Sequence, residues 1–400
     1  MMKRIVKLSF LLLPLLLMEG CWDRTELNDL ALITALAFDK TEDNQIQISV
    51  QIIIPQNING GLVSGGTGGG SSSRRTVVRA EKGIDTAAAL SKLQRKIPRK
   101  LFWGQCKIFI FSETLAKSGI RNQLDFLVRH PQPRERAYVF VSNGSAAEAL
   151  DLFPPIERSS AEALRKLSDM NIGIRVTLEQ LSIMLKEESR SATLPYVYIL
   201  PANRSTKKTD PFQTIPYIFG TAVFQEDKMI GEISEKVTRG LMWIKNDIKE
   251  YTITFAVKDP DHFVSLSPVI ANVKLIPKIV GSTWMMTIKV KTQGDIVQNS
   301  TLLNPMKPDF LSIMDEAFAN DVKERIQLVL NEAQQNLKVD ILDFAKEFHR
   351  KYPKQWESKK ENWDALFPQV EVNIVVDAHI LRPGLINSPG GMPKEETQQK

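Results

Sequence analysis

The fold is decided by a short apolar run, Cys106-Lys107-Ile108-Phe109-Ile110-Phe111, which Ser112-Glu113 follow without a gap. An apolar run of this length favours a buried strand, and a serine placed before a glutamate favours the start of a helix. Residues 137–141 are again apolar and predict the next strand. This alternation predicts an α/β layout for the N-terminal part of the chain. As a lone thiol in a buried strand, Cys106 is expected to be a small core residue that does not pair with Cys21.

The segments before this run extend the same layout. Residues 44–55 alternate polar and apolar side chains before becoming wholly apolar, which predicts a strand, and residues 76–80 predict a second one. Apolar side chains at helical spacing in 87–97 predict a helix. Glycine and serine dominate residues 57–75, so we expect a disordered loop inside the domain. A phosphate-binding loop would end in Gly-Lys-Ser/Thr before a helix, whereas here Arg74-Arg75 and a strand follow.

The rest of the chain predicts two further units. Residues 144–203 contain three segments with helix signals, which predict a mostly helical middle domain. Thr177, with Gln180 three residues on, predicts a capping box at the start of the last of these helices. The polar stretch 203–211 predicts a domain boundary. Beyond it, a hairpin, further strands and a long amphipathic helix from Pro308 predict an antiparallel sheet covered by long helices. The sequence thus predicts a mixed α+β fold in three domains, with a signal peptide at 1–20, domains at 21–143, 144–203 and 211–386, and a loose tail at 387–400.

Composition excludes several classes of protein. The 400 residues are 43% hydrophobic and 24% charged, which is typical of globular domains and excludes wholesale disorder, a polytopic membrane protein and a collagen-like fibre. The 52 basic and 46 acidic residues give a net charge of only +6, and the cations are interleaved with carboxylates along the chain. We therefore expect no nucleic-acid partner.

The residue types that carry catalysis are not arranged for it in the sequence. The four histidines, His130, His262, His349 and His379, show no metal-ligand spacing. The segment 143–147 lacks the second glycine of a nucleophile elbow. We therefore expect no enzyme activity, no metal and no cofactor.

The N-terminus predicts export from the cytoplasm. Lys3, Arg4 and Lys7 precede an almost wholly apolar run at 8–18, which is about half the roughly 20 residues that span a bilayer and is interrupted by Pro14. These features are typical of a secretory signal peptide. Cations before the apolar run retain the N-terminus in the cytoplasm, so the chain after residue 20 is expected on the outer side of the membrane.

Cys21 has a predicted use in this context. The pair Gly20-Cys21 directly after the apolar run resembles the lipobox of bacterial lipoproteins, in which the thiol receives diacylglycerol and becomes the new N-terminus. Two acyl chains suffice for stable membrane attachment. Met18 and Glu19 depart from the usual lipobox pattern, and the alternative is an ordinary cysteine beside a plain cleavage site. Cys21 is the single predicted site residue of the chain, as the lipidation site.

Several blocks together resemble the Ger(x)C family, the lipoprotein C subunits of bacterial spore germinant receptors. The first is Cys21-Trp22-Asp23-Arg24-Thr25-Glu26-Leu27, which Ala35-Leu36-Ala37-Phe38-Asp39 extends. Phe102-Trp103-Gly104-Gln105-Cys106-Lys107 and the segments 112–120 and 124–129 are similar to the family's N-terminal region. The segments 220–224 and 238–241 resemble the start of its C-terminal domain. The blocks keep the family's order across essentially the whole chain that follows the predicted signal peptide.

This resemblance implies a location and partners. It implies a three-domain, non-enzymatic receptor subunit that is fixed by lipid to the outer face of the spore's inner membrane. It also implies action with an A subunit and a polytopic B subunit that together respond to nutrients and start germination. The alternative is a lipid-anchored solute-binding protein of a transporter. Whether this subunit itself binds a nutrient is left open by the sequence.

Overall fold

The computed structural model describes residues 26–54, 75–154, 156–199, 215–249, 251–301 and 303–384. Its first part is built on a nine-stranded sheet. In spatial order the strands are β3, β2, β1, β5, β6, β7, β8 and β9, with β4 beside β1. Their bounds are β1 Leu30–Lys40, β2 Ile46–Ile53, β3 Thr76–Gly83, β4 Lys100–Phe102, β5 Ile108–Ser112, β6 Tyr138–Ser142, β7 Ser191–Ile199, β8 Pro216–Gln225 and β9 Lys228–Ser234.

The centre of this sheet is parallel and its two ends are antiparallel. Strands β1, β5, β6 and β7 pair in parallel, whereas β2 and β3 at one end and β8 and β9 at the other pair antiparallel with their neighbours. Parallel strands require helices on both faces of a sheet. Strand β5 shows how the sequence meets this requirement, because Phe109 and Phe111 enter one core while Ile108 and Ile110 enter another. The α/β layout predicted from this strand is confirmed.

Six short helices cover the two faces of this sheet. Helices α1 Thr86–Lys96, α2 Glu113–Ser118, α3 Arg121–Arg129 and α6 Leu178–Met184 contribute to the core on the Phe109 side, and α4 Ala146–Asp151 and α5 Ser160–Asp169 to the core on the Ile108 side. Two predicted helix starts are confirmed. Ser112 accepts a hydrogen bond from the N–H of Leu115 at 3.3 Å, and Thr177 and Gln180 form a capping box.

The helices predicted as a middle domain pack directly on the first sheet. Asp39 at the end of β1 accepts hydrogen bonds from the N–H groups of Ala146 and Ala147, at 2.8 and 3.0 Å, and so caps α4. Strand β7 lies inside the predicted middle segment and pairs with β6, and β8 lies beyond the predicted boundary and pairs with β7. One sheet therefore continues through both predicted boundary positions, and the division into three domains stays a prediction.

The second sheet has four strands in the order β10, β11, β12, β13. Their bounds are β10 Tyr251–Val257, β11 Asp259–Val280, β12 Thr283–Asn299 and β13 Glu371–Arg382. The sequence predicts two separate strands, at 262–266 and 269–279, but the structure has one continuous strand of 22 residues, β11. Its pairing register with β12 shifts between Leu266 and Val269, and the strand does not break there. The first three strands are antiparallel, as predicted, whereas β13 pairs in parallel with β12 because a long helical crossover joins them.

Helices cover one face of this second sheet. They are α7 Glu235–Ile244, α8 Pro308–Asn331, α9 Phe344–Lys351, α10 Pro353–Lys359 and α11 Trp363–Leu366. The predicted apolar stripe of α8 is confirmed as core, because Met314, Phe318, Val322 and Ile326 are fully buried. Gly240 lets α7 approach α8 closely, since a Cβ atom there would lie 2.1 Å from the carbonyl oxygen of Arg325.

Candidate functional site

The residues that the sequence selects for membrane attachment lie outside the described residues. These are Cys21 and the whole predicted signal peptide at 1–20, together with residues 57–74 of the predicted glycine-serine loop. Lipidation of Cys21 therefore stays a prediction. Among the described helices, none is both long and apolar enough to cross a membrane.

The second cysteine, Cys106, is a core residue as predicted, although it lies two residues before β5 and not within the predicted strand. Cys106 is fully buried with a free thiol, as the core position implies. Burial raises the pKa of this thiol to about 12, since a thiolate is poorly solvated in an apolar core. The histidines do not converge, and the described residues contain no group of three or more His, Cys, Asp or Glu side chains that could hold a metal ion.

A polar groove lies between the β8–β9 hairpin of the first sheet and the C-terminal helices. It has a volume of about 540 Å³ and is lined by the loop at 186–190, the β8–β9 hairpin and residues 356–364 of the C-terminal helices. We call it the junction groove. Its walls come from both of the regions that the sequence separates as the middle and C-terminal domains, so any partner bound there would contact both.

An ion pair and two further polar contacts hold the two walls of the junction groove together. Lys346 Nζ lies 2.7 Å from Glu187 Oε1, and His349 Nδ1 lies 2.6 Å from Glu188 Oε1. Gln225 in the hairpin donates to Asp364 Oδ2 at 2.9 Å. Exposed ion pairs contribute about 0–1 kcal/mol each. These contacts therefore orient the walls more than they stabilise the fold.

A buried carboxylate beneath the groove orders the C-terminal helices. The backbone N–H groups of Leu342, Phe344 and Ala345 donate to Asp340 at 3.1, 3.2 and 2.7 Å. The indole N–H of Trp363 donates to the same carboxylate at 3.2 Å. Burial raises the pKa of Asp340 to about 6, although the backbone donors oppose this rise by stabilising the charged form.

An aromatic cluster surrounds Trp363. Its ring lies 5.1 Å from that of Trp356, 5.8 Å from Phe348, 5.9 Å from Trp284 and 6.0 Å from Phe367, measured between ring centroids. Trp356 and Trp363 also line the junction groove. The floor of the groove is thus a rigid aromatic layer that Asp340 fixes in place.

The sequence analysis does not predict a role for Asp340 or the presence of the junction groove. One signal was present, because a carboxylate between Val339 and Ile341-Leu342 interrupts an apolar run shortly before a helix. The groove itself had no sequence signal, since its walls lie far apart along the chain. Chemically, the described groups of the groove offer charged and hydrogen-bonding side chains above a buried aromatic layer.

Comparison with known protein families gives two matches. A model described as "Spore germination protein N-terminal domain" matches residues 23–199, and one described as "Spore germination B3/GerAC like, C-terminal" matches residues 219–384. The two models fall on the chain in the order that the sequence resemblance implies.

Similar proteins support the same assignment. Spore germination protein KC of Bacillus subtilis (strain 168) is 27% identical over 405 residues, with 97% of this chain and 98% of the relative covered. Spore germination protein B3 of the same organism is 21% identical, with 96% and 100% covered. A crystal structure of the GerBC protein superposes with a TM-score of 0.56 at 18% identity, covering 87% of this chain and 97% of the other, which shows a shared fold.

Proposed function

Because the chain belongs to the Ger(x)C family of spore germination proteins, we propose that it is the lipid-anchored C subunit of a nutrient germinant receptor. In this proposal it acts with A and B membrane subunits to trigger germination. The observation that carries the proposal is the match of both family domains, in order, over residues 23–199 and 219–384. Its role is binding and scaffolding, without catalysis.

The proposed anchor is a diacylglyceryl group on Cys21. The family match begins at residue 23, so the apolar run at 8–18 and the anchor residue Cys21 both precede the matched domain, which supports a removed leader that ends at Gly20. Attachment would hold the chain at the outer face of the inner spore membrane. Assembly with membrane subunits would then occur at a raised effective concentration.

The folded part supports a scaffolding role. The junction groove offers charged and hydrogen-bonding side chains on two walls that the fold already holds together. A preformed surface of this kind loses little conformational entropy when a partner binds. We propose it as one of the surfaces that meets the A or B subunit.

Affinity capture of the chain from detergent-solubilised spore membranes tests the proposal. We expect to recover A-type and B-type subunits and a diacylglyceryl group on Cys21 by mass spectrometry. The Cys21→Ala variant should leave the membrane fraction and lose its germination response, whereas Cys106→Ala, which removes the buried thiol, should keep both. Recovery of the chain alone, or with components of a transporter, would contradict the receptor proposal and favour a solute-binding protein.

A further inference from the structure

The second sheet has one face that the helices leave uncovered. Helices α7 to α11 pack on the side to which Val290 of β12 and Ile374 of β13 point. Successive side chains of a strand point to opposite faces, so the neighbouring positions point away from these helices. We call this second side the open face. It consists of the even-numbered residues 270–280 of β11 and the odd-numbered residues 285–293 of β12 and 371–381 of β13, all of which are at least partly exposed.

Lysines gather at the centre of the open face. Lys274 of β11 lies directly opposite Lys289 of β12, and Lys291 is the next residue of β12 on this face. Lys278 of β11 adds a fourth cation. Like charges at directly opposite positions destabilise a sheet. Within the described part of the chain, neither Lys274 nor Lys289 forms an ion pair, so the fold brings together cations that it does not neutralise.

The carboxylates of the open face do not balance these cations. Asp377 Oδ1 lies 2.9 Å from His379 Nε2, and Asp377 Oδ2 lies 3.9 Å from Lys291 Nζ. Glu371 is the first residue of β13 and lies at the end of the face. Four lysines therefore stand against two carboxylates, and the face carries a net positive charge before His379 is counted.

Exposed aliphatic side chains flank the lysines. On β11, Ile270 and Ile276 are 51% and 41% exposed, and on β13, Val375 and Leu381 are 42% and 57% exposed. Val375 is the direct partner of Lys289 across β12 and β13. Removing apolar side chains of this size from water is favourable, and their clustering on one surface is typical of an interaction site. The open face thus combines unneutralised cations with apolar side chains that a partner would bury.

This combination fits an anionic lipid surface better than a protein partner. Lysine is depleted at protein–protein interfaces, whereas arginine, tyrosine, tryptophan and phenylalanine are enriched there. The open face has four lysines and none of these four residue types. Each lysine close to an anionic lipid surface strengthens attachment about fivefold. Aliphatic side chains add to this attachment when they enter the layer between headgroups and acyl chains.

We propose that the open face docks on the anionic phospholipid headgroups of the membrane that anchors the chain. The ammonium groups of Lys274, Lys289 and Lys291 approach the lipid phosphates, and Ile276 and Val375 enter the headgroup layer. Docking of this face fixes the orientation of the second sheet on the membrane, which an acyl group on one residue does not define. The inference rests on the proposed membrane attachment and goes beyond it by assigning the surface that faces the lipid.

Lysine acetylation followed by mass spectrometry tests the proposal on the full-length chain. The chain is inserted into preformed vesicles of phosphatidylcholine, either alone or with about 30% phosphatidylglycerol, and a brief pulse of a water-soluble acetylating reagent reports the accessibility of each lysine. In the anionic vesicles, Lys274 and Lys289 should react at least about fivefold more slowly than in the neutral vesicles. About 0.5 M NaCl should remove most of this difference, because salt screens exposed charges.

Two lysines of the same chain serve as internal controls. Lys92 on α1 and Lys323 on α8 are exposed. Lys92 belongs to the layer on the first sheet, and Lys323 to the helices on the opposite side of the second sheet. Their acetylation rates should differ by less than about twofold between the two kinds of vesicle, because neither approaches the lipid in the docked orientation.

A double variant tests the lysine cluster itself. Lys274→Gln/Lys289→Gln should lose more than half of the protection at Lys278, because each removed cation weakens attachment about fivefold. Both positions are exposed and the change removes a like-charge pair, so the variant should unfold at the temperature of the parent chain or above. Lys92→Gln/Lys323→Gln removes the same charge elsewhere and should keep the protection at Lys278.

The outcomes separate this inference from the proposed anchor and receptor role. Equal acetylation in both kinds of vesicle, equal protection of the control lysines, or full protection of Lys278 in the double variant would each overturn the inference. Protection that needs bound A-type or B-type subunits and no anionic lipid would overturn it in favour of a protein partner.

Flotation with the neutral vesicles reports the anchor separately. If the chain floats with them and the anionic vesicles do not protect the open face, the anchor stands and the inference falls. If the chain does not float with neutral vesicles and the anionic ones still protect the open face, the anchor falls and the inference stands. Capture of A-type and B-type subunits is scored independently of lysine protection.

Discussion

Trp363 donates its indole N–H to the carboxylate of Asp340, 23 residues earlier in the chain, at 3.2 Å. Asp340 lies in the turn before α9 and Trp363 begins α11, so this one bond connects the two ends of the C-terminal helical layer. Both side chains are almost fully buried. The bond therefore links the helices beneath the junction groove without help from solvent.

Asp340→Asn should destabilise the protein by about 2–5 kcal/mol. One carboxylate oxygen becomes an amide NH₂, which faces donors and leaves them unpaired in the core. Urea unfolding followed by tryptophan fluorescence measures the loss. The control is Asp364→Asn, because Asp364 is exposed and its oxygen can still accept from Gln225; its free energy of unfolding should change by less than about 1 kcal/mol. Equal effects from the two variants would contradict the role of Asp340.

The free energy of unfolding should vary with pH because the Asp340 carboxyl has different pKa values in the folded and unfolded chain. Its pKa is raised from 3.8 to about 6 in the folded state, so between these values the folded protein binds a proton that the unfolded chain does not. This contribution to stability is present at low pH and is lost as pH rises through 6. The free-energy difference between the parent chain and Asp340→Asn should therefore grow by up to about 3 kcal/mol from pH 7 to pH 4. A difference that shrinks over this range would show that the pKa is lowered instead.

Gly240→Ala should separate α7 from α8. The new Cβ would lie 2.1 Å from the carbonyl oxygen of Arg325. This oxygen belongs to the backbone, so it cannot move aside by a change of side-chain rotamer. Overpacking of this kind costs about 1–3 kcal/mol, which thermal unfolding would detect. Gly231→Ala is the matched control, because its Cβ would meet only the end of the Leu337 side chain at 3.0 Å, so a smaller effect is expected.

Gln51→Leu should loosen α4 and α5 from the first sheet. Its Nε2 donates to the carbonyl oxygen of Leu150 at 2.8 Å and to Ser160 Oγ at 3.0 Å, and both partners are buried. Removing the Nε2 donor takes a hydrogen bond from each of these buried acceptors, which should lower the free energy of unfolding by about 1–3 kcal/mol. Hydrogen exchange followed by mass spectrometry should show faster exchange in residues 146–169. Unchanged protection there, with loss elsewhere, would refute this linkage.

The Cys106 thiol should be inert in the folded protein. Full burial and a pKa of about 12 leave almost no accessible thiolate at pH 8. In a Cys21→Ala chain, a disulfide exchange reagent should label Cys106 only after urea is added. Rapid labelling without urea would show that the chain around Cys106, just before β5, opens readily.

Local signals in the sequence predict individual helices and strands well. They do not predict which strands pair with each other across the chain. The run before Ser112 predicted β5 and the helix after it, and Thr177 with Gln180 predicted a capping box, because both depend on neighbouring residues. The pairing of β7 with β8 was missed, since the polar segment between them resembles a linker and no local pattern encodes a partner strand. For the same reason the parallel pairing of β13 was not foreseen.

The candidate sites show the same limit. Cys21 was selected from its neighbours Gly20 and Trp22, and it stays a prediction. The junction groove could not be predicted, because it is formed by segments that only the folded chain brings together.

The continuous first sheet constrains how this protein can be divided for study. A fragment that ends at residue 199, where the first family model stops, would leave the full length of β7 as an open edge. Residues of that strand such as Ala192 and Leu194 are buried in the whole chain, and an uncovered strand of this kind recruits other chains. Ending the fragment after β9 at Ser234 instead would retain the hairpin that closes this edge. The soluble behaviour of an N-terminal fragment thus depends on β8 and β9, which lie at 216–234 inside the region that the sequence assigns to the C-terminal domain.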